Sequence, residues 1–572
     1  MKLSLPGIVI LLFPPAQLAS AWDSVTFNKD IAPVIFQHCS TCHRPGESGP
    51  FPLLSFNDVK KRARQICEVT ARGYMPPWLP SGEMSQFAGD RRLSTAEVAL
   101  FKSWLAAGTP EGNPADLPAA PRWTDGWHLG QPDLIVQMPR AFTLPAEGRD
   151  IYRNFVLPVS LKQARYVRAV EFRPGNRKIV HHAFVKVDFS GHALKLEGTN
   201  AQPGFDGMNL PEGIKMPSGY FLGYQPGKMP SSEPAGYGWT LQPGQNLVVQ
   251  THLRPTGKPE LLQAQVGLYF TPVPPTNTTM VFALSSLNID IPASTNCWAV
   301  EDDFRLPVDV DLLSVLPHAH YLGKRLEGTA SMLDGSSREL LLIPDWDFNW
   351  QGDYRYSRPI HLAAGTLLQM RFLYDNSAAN VRNPNQPSKE VFYGPQSTDE
   401  MGELWFQVRL NNTNDQAVLA RAYNDKNRRM FARFAQFQLD RNPHNARART
   451  ELGFIEWTDG HVDKALESFR TACNDDPAYD QPHYYMGVIY RTQNRLGDAR
   501  AEFETAVRLN PKNSKAFGNL AFTFLGLGNL DRAERNVRQA ILLDPTDQLA
   551  RDTLEQILQA RNTAKPRPNA SR

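Results

Sequence analysis

The chain has 572 residues, which is too long for one hydrophobic core and suggests about three or four domains. Its 41% hydrophobic and 21% charged residues are typical of an ordinary globular protein. The formal net charge of +3 provides neither a basic stripe nor an acidic excess, so we predict no nucleic-acid partner.

Residues 1–21 predict a signal peptide. Lys2 gives a positive start, residues 3–12 form an apolar run, and the small residues at 19–21 form a cleavage site near Ala21. No later apolar run reaches the roughly twenty residues that span a membrane. We therefore expect a periplasmic or secreted bacterial protein without a membrane span.

The next segment carries the attachment signature of a c-type haem. In Cys39-Ser-Thr-Cys42-His43 two thiols stand three residues apart and a histidine follows directly. The thiols bond covalently to the porphyrin, and the imidazole lies beneath the iron. Residues 22–112 have helical patterns, including a capping box that begins at Ser94. This segment looks like a class I cytochrome c with one covalently bound haem c.

Met75 is the predicted sixth ligand of the haem iron. Pro76 and Pro77 follow it and stiffen the chain, which lowers the entropy cost of presenting the thioether. Met84 is the alternative. His38, beside the attachment motif, is expected to be a helix residue near the haem edge rather than a ligand.

A proline-rich linker at 113–128 leads into a region of alternating residues. Runs such as 246–252 have the period of two that is typical of strands, and turn signals recur between them. We predict an all-β region of sandwich type, whose length suggests two units. A break near 272–277 divides it into residues 129–280 and 281–425.

The last part of the chain, 426–562, is a predicted repeat array. Prolines recur every 34 residues, at Pro443, Pro477, Pro511 and Pro545, and small residues keep the same period. This period, with small residues where helices cross, is the tetratricopeptide signature. The concave face of such an array typically binds a protein partner; the alternative is that it only stabilises or dimerises the chain. A polar tail at 563–572 is predicted to be disordered.

Five of the 13 histidines form a pattern in the β region. His181 and His182 are adjacent, His252 ends an alternating run, and His318 and His320 are two apart. Residues two apart on a strand point to one face, so the last pair can converge on one ion. Adjacent histidines can do so only where a bulge bends the strand. Imidazole suits copper, zinc, iron or nickel, so histidine alone does not choose the metal, and ordinary packed or surface histidines are the alternative.

Four segments resemble the copper type II, ascorbate-dependent monooxygenases, the family of peptidylglycine α-hydroxylating and dopamine β-monooxygenase. Residues 316–324 are similar to their HxHxLGK motif, and 180–183 to their double-histidine motif. Residues 248–252 are similar to the strand with the third histidine, and 397–401 to their DEM motif. The resemblance covers roughly residues 130–425.

The resemblance implies two jelly-roll-like β domains, each holding one copper ion. The implied ligands are His181, His182 and His252 for an electron-transfer copper, and His318, His320 and Met401 for the catalytic copper. A thioether is a soft ligand that favours Cu(I), the form that reacts with O₂. The implied activity is a monooxygenase that inserts one atom of O₂ into a C–H bond of an organic substrate.

The animal enzymes obtain electrons from ascorbate, whereas this chain has a haem motif ahead of the copper motifs. We hypothesise that the haem, itself reduced by an unidentified electron donor, reduces the histidine-only copper. Tethering the two in one chain raises the effective concentration of the donor.

The substrate side departs from the peptide-hydroxylating pattern. Leu316 occupies the place of the arginine that anchors a peptide carboxylate, and Glu403 and Trp405 replace an asparagine and a tyrosine. A glycine-extended peptide is therefore not the expected substrate. Glu403 could favour an amine; the alternative is a solvated or structurally paired carboxylate.

Two other functions stay open. The chain could be a non-catalytic electron-relay or copper-handling protein that its repeats hold in a complex, or a haem protein whose β region binds sugars or surfaces.

Cys67, Cys297 and Cys473 lie outside the haem motif. We expect them to be mostly buried thiols, with at most one disulfide.

Overall fold

The computed structural model describes residues 25–564, except 46, 48, 85, 122–125, 198–201, 209, 212, 218, 226–227 and 546. The predicted signal peptide and most of the predicted tail lie outside this part. The chain is multidomain, with a small helical unit, a region rich in β-sheet and a C-terminal helical array. Within the described residues, no helix combines the length and apolar character that crossing a membrane requires.

The helical unit begins with a π-helical turn, Phe27–Ile31, that runs into the first α-helix. Its helices are α1 (Ala32–His38), α2 (Phe56–Lys60), α3 (Ala63–Ala71) and α4 (Thr95–Ala106). Ser94 and Glu97 form the predicted capping box at the start of α4. The core of this unit packs Phe27 against Trp104.

Within its described residues, the first β unit contains twelve strands and one short helix. They are β1 (Leu134–Gln137), β2 (Phe142–Leu144), β3 (Ile151–Leu157), β4 (Arg165–Arg173), β5 (Val180–Asp188), α5 (Ala193–Glu197), β6 (Phe205–Asp206), β7 (Ile214–Lys215), β8 (Gly223–Tyr224), β9 (Trp239–Leu241), β10 (Asn246–Leu253), β11 (Glu260–Leu262) and β12 (Gln265–Thr271). One sheet has the order β1-β12-β4-β9, and another has β6-β3-β10-β5-β7 with β8 also on β5. Apolar residues from both sheets share one buried cluster.

The second β unit contains the remaining ten strands. They are β13 (Thr278–Ser285), β14 (Asp290–Ile291), β15 (Trp298–Arg305), β16 (Val310–Ala319), β17 (Gly323–Ser331), β18 (Ser337–Ile343), β19 (Tyr354–Leu362), β20 (Leu367–Tyr374), β21 (Val391–Phe392) and β22 (Gly402–Leu410). Two four-stranded antiparallel sheets, β13-β22-β16-β19 and β15-β20-β17-β18, contribute to one core. Strands β12 and β13 belong to different sheets, and the break predicted near 272–277 lies between them.

The helical array begins with the long helix α6 (Thr413–Arg441). Helix pairs follow: α7 (Ala446–Thr458) with α8 (Val462–Asp475), α9 (Gln481–Thr492) with α10 (Leu496–Leu509), and α11 (Ser514–Gly526) with α12 (Leu530–Leu543), before α13 (Gln548–Ala564). The periodic glycines permit the close crossings: a Cβ on Gly487 would lie 2.7 Å from the ring of Phe503. The predicted 34-residue period thus corresponds to one helix pair per repeat.

Both outer units contact the second β unit. Lys426 of α6 forms a buried ion pair with Asp302 of β15. On the other side, Phe87 of the helical unit bridges to Tyr356 of β19 and is buried in the core of the second β unit. The helical unit is therefore anchored on the second β unit.

Candidate metal centre

Three histidines of the first β unit gather at one point, here named the first site. A nitrogen of each of His181, His182 and His252 lies within 4.8 Å of the others. The Nδ1 atoms of His181 and His182 are 3.3 Å apart. Two nitrogens that each bind one ion at about 2.0 Å in tetrahedral directions are separated by about this distance. The three residues therefore fit a single metal ion.

A β-bulge makes this geometry possible. Strand β5 pairs with β10 in regular register as far as His182 and His252, after which Leu253 faces Val180. His181 is the extra residue, so two adjacent imidazoles reach the same side of the strand. Their ring centroids both lie 4.9 Å from that of His252.

His252 is oriented by a carboxylate. Its Nε2 lies 2.8 Å from Oδ2 of Asp150, and its ring stacks on Tyr152 with centroids 4.4 Å apart. Its Nδ1 is buried and has no hydrogen-bond partner among the residues that the structure describes. A histidine that donates one N–H to a carboxylate and keeps the other nitrogen free has the arrangement of a metal ligand.

Burial keeps these imidazoles neutral. It lowers the pKa of His181 to about 3, with the nearby His252 contributing, and it lowers the pKa of His182 well below the ordinary value. Burial also lowers the pKa of His252, although Asp150 opposes the shift. Neutral imidazole is the form that binds metals.

His318 and His320 of the second β unit form a second pair with both Nδ1 atoms engaged. Nδ1 of His318 is 2.5 Å from Oε1 of Gln351, and Nδ1 of His320 is 3.1 Å from the carbonyl oxygen of Asp399. Their ring centroids are 5.2 Å apart. These contacts through Nδ1 orient the rings, and Nε2 is the other nitrogen of each ring that could bind a metal. With Met401, this pair is named the second site.

Glu400 connects the two segments of the second site. Its carboxylate accepts hydrogen bonds from the backbone N–H groups of His320, Leu322 and Met401. Tyr374 donates its hydroxyl to the carbonyl oxygen of Met401 at 2.7 Å. The strand end with the histidines and the loop with the methionine are thereby tied together, and Met401 is buried.

The ring of Phe348 lies between the two sites. It stacks on His181 with centroids 4.8 Å apart and meets the edge of His320 at 5.4 Å. The ring belongs to a single 3₁₀ turn, Phe348–Trp350, which Asp347 caps. Histidines of the two β units thus contact one and the same aromatic side chain.

A cavity of about 620 Å³ opens between the β units beside both sites. The first unit lines it with Asp150, Tyr152 and Met208, and the second with Tyr393, Gln396 and Met401. A small organic molecule in this cavity would be next to the second site.

The haem motif has a suitably oriented histidine. Nδ1 of His43 is 3.0 Å from the carbonyl oxygen of Phe51, which leaves Nε2 for an iron atom. Cys39 and Cys42 are free thiols. Met75 is half-buried, whereas Met84 is exposed, which favours Met75 as the thioether ligand. His38 lies 3.2 Å from Glu97 of α4.

The residues that depart from the peptide-hydroxylating pattern, Leu316, Glu403 and Trp405, pack or pair within the protein. Leu316 is buried, and Glu403 accepts a hydrogen bond of 2.9 Å from the indole of Trp405. Glu403 is therefore a structurally paired carboxylate.

One expectation about the cysteines is wrong: Cys297 is exposed, because it precedes β15 in a surface turn, whereas Cys67 and Cys473 are half-buried and all three are free.

Sequence reasoning missed the residues that support the sites. Asp150, Phe348 and Gln351 are distant in sequence from the histidines that they contact, so no local pattern indicates them. Glu400 stands inside the DEM-like segment, and a charged residue beside a predicted metal ligand was the available signal.

Comparisons with known proteins match the helical array. A family model described as tetratricopeptide repeat matches residues 490–557. Heat shock protein STI1 of Saccharomyces cerevisiae is 28% identical over 123 residues, which are 21% of this chain and 20% of that protein. The match thus spans about a fifth of that relative's length. The C-terminal array is a set of tetratricopeptide repeats.

Two solved structures are also similar. The first tetratricopeptide domain of Spaghetti (RPAP3), bound to an HSP90 peptide, is 22% identical, with a TM-score of 0.20 over 20% of this chain and 93% of that one. The crystal structure of MamA is 18% identical, with a TM-score of 0.23 over 24% of this chain and 83% of that one.

Proposed function

We propose that this protein is an exported, copper-dependent monooxygenase that receives electrons through its own haem c. The observation that carries the proposal is the gathering of three neutral imidazoles at the first site, with a second histidine pair across one aromatic ring. The resemblance of four segments to the copper monooxygenases selects copper among the metals that imidazole binds.

Copper at these sites would supply one-electron chemistry and O₂ binding. The protein's part is to prepare the ligands. Asp150 fixes the tautomer of His252, while Gln351 and Asp399 hold the rings of His318 and His320 through Nδ1. Met401 adds the soft sulfur that favours the reduced metal.

The substrate would be a small organic molecule that enters the cavity between the β units. The walls there include aromatic and thioether groups together with Asp150 and Gln396. Leu316 supplies no positive charge for a peptide carboxylate, so a glycine-extended peptide is not the proposed substrate. Hydroxylation at a C–H bond is the proposed reaction.

The helical unit would act as the cytochrome. Cys39 and Cys42 would hold the haem covalently, and His43 and Met75 would be its axial ligands. The hydrogen bond from the His43 ring to the Phe51 carbonyl supports this role, because it orients the other ring nitrogen.

Oxygen consumption tests the activity. The purified, copper-loaded protein should consume O₂ when a panel of exported small molecules is added with a reductant, and isotopically labelled O₂ should leave one labelled atom in a product. His361→Ala is a control variant that should keep the activity, because His361 is an exposed histidine of the second β unit. Redox cycling without an oxygenated product would favour the alternative, an electron-relay or copper-handling protein.

The repeats would bind a protein partner. Phe454 and Phe522 are both partly exposed, at 38% and 39%, and occupy the same position two repeats apart. Exposed aromatic side chains at repeated positions are typical of a binding surface. A pull-down with the full chain should recover a partner that a Phe454→Ala/Phe522→Ala variant loses.

A further inference from the structure

One short turn contacts both proposed metal sites and Tyr74, the residue before the proposed haem ligand Met75. Phe348–Trp350 and the following Gln351, here named the aromatic turn, connect β18 with β19 of the second β unit. Asp347 caps the turn by accepting the backbone N–H of Asn349 at 2.9 Å. The backbone N–H of Trp350 donates to the carbonyl oxygen of Asp347, also at 2.9 Å.

The copper side of the turn is in direct contact with both sites. Phe348 is fully buried, stacks on His181 of the first site and meets His320 of the second. Three residues later, Oε1 of Gln351 accepts a hydrogen bond from Nδ1 of His318 at 2.5 Å. One turn therefore contacts histidines on both sides of the interface.

The haem side of the turn faces the helical unit. Trp350 meets the ring of Tyr74 edge-on, with centroids 6.3 Å apart. Tyr74 directly precedes Met75, the proposed haem ligand. Residues after Met75 fix this approach, because Ser81 donates to the carbonyl oxygen of Leu342 at 2.8 Å and Ala88 to that of Arg355 at 2.8 Å.

We infer that the aromatic turn is the electron conduit between the haem and the copper sites, an inference that rests on the proposed function. Trp350 mediates tunnelling from the haem side without itself being reduced, and Phe348 contacts histidines of both the first and the second site. The transfer oxidises one ferrous haem and reduces one cupric ion to cuprous, and no atom or proton changes place. Electron tunnelling is weaker through empty space than through packed atoms, so the ring contacts of Tyr74 with Trp350 and of Phe348 with His181 favour this route.

The test uses the full chain loaded with haem and Cu(II). The haem is reduced by rapid mixing with one equivalent of a reductant, without O₂. Its subsequent oxidation is followed by its absorption spectrum. Trp350→Leu should slow this oxidation several-fold, whereas Trp457→Leu, a change in α7 of the repeats, should leave it unchanged. Phe348→Leu should slow both this transfer and the exchange between the two coppers, because Phe348 contacts His181 of the first site and His320 of the second.

The readouts separate this inference from the proposed function. The copper content and the haem spectrum of Trp350→Leu should equal those of the wild type, and a small soluble reductant should still reduce its copper at the normal rate. An unchanged haem oxidation rate in Trp350→Leu, with normal copper content, would overturn the conduit alone. A wild-type protein without bound copper would instead contradict the proposed function.

Discussion

At the scale of single residues, the supporting side chains decide how well the sites can hold a metal. Oδ2 of Asp150 accepts a hydrogen bond of 2.8 Å from Nε2 of His252. This hydrogen bond fixes the tautomer in which Nδ1 of His252 can bind a metal. Asp150→Ala should weaken Cu(I) binding at the first site by about 10–100-fold. Competition with a coloured Cu(I) chelator measures this affinity.

Asp311 provides the control for Asp150. It lies 3.0 Å from Nδ1 of an exposed histidine, His361, away from both sites. Asp311→Ala should leave the Cu(I) affinity unchanged. Equal affinities for the two variants would contradict the role given to Asp150.

Glu400 stabilises the fold through the backbone N–H groups that donate to its side chain. Its removal leaves three buried backbone N–H groups without acceptors, each costing about 1–3 kcal/mol. Glu400→Ala should lower the free energy of unfolding in urea by about 3 kcal/mol or more. Glu301→Ala removes an exposed ion pair with Arg371 and should cost less than about 1 kcal/mol.

The buried histidines make the metal-free protein sensitive to acid. Burial lowers the pKa of His181 and of His320 to about 3, against 6.5 for the ordinary side chain. Between these values the unfolded chain binds protons that the folded chain does not, so acidification favours unfolding. The free energy of unfolding should therefore fall as the pH decreases from about 6.5 toward about 3.

A variant isolates this effect from the titration of carboxylates. His181→Asn removes one of the depressed groups, so its stability should fall less steeply with acid than that of the wild type. Urea titrations at several pH values give both slopes. Parallel slopes for the two proteins would show that His181 is not buried in its neutral form.

At the scale of elements, the helix pairs of the repeats could be predicted closely from the sequence. The strands that carry the histidines could be predicted only in part. A period of 34 residues dictates the helix pairs, because each small residue marks a crossing. The need for a bulge at His181 also follows from two adjacent ligands. The aromatic turn has no such signal, because contacts to Tyr74, His181 and His320 arise only when three units meet.

The small residues of the repeats give a prediction at this scale. Gly487→Ala places a methyl group 2.7 Å from Phe503, so overpacking should cost about 1–3 kcal/mol. Gly497→Ala, in α10, meets no atom within 4 Å and should be neutral or stabilise by up to about 1 kcal/mol. Thermal unfolding of the full chain compares the two. A stable Gly487→Ala protein would contradict the tight crossing.

At the scale of the whole molecule, the order of the units could be predicted, but their arrangement could not. Composition and spacing separate a helical segment, a β region and repeats along the chain. Burial of Phe87 in the core of the second β unit is a long-range contact with no periodic signature. The same holds for Asp150 and Phe348, whose partners lie on other strands.

The arrangement explains how one chain could combine the proposed activities. The helical unit is anchored on the second β unit, histidines of both β units contact Phe348, and Lys426 of α6 pairs with Asp302 of the second β unit. Electrons, O₂ and substrate would meet at the interface of the β units, while the repeats remain free to bind a partner.

Copper analysis of purified protein and of two site variants tests the central claim most directly. The wild type and the control His361→Ala should each bind two copper ions per chain, whereas His181→Ala and His320→Ala should each bind one. Wild-type protein with no copper after loading, or variants that both retain two ions, would contradict the account.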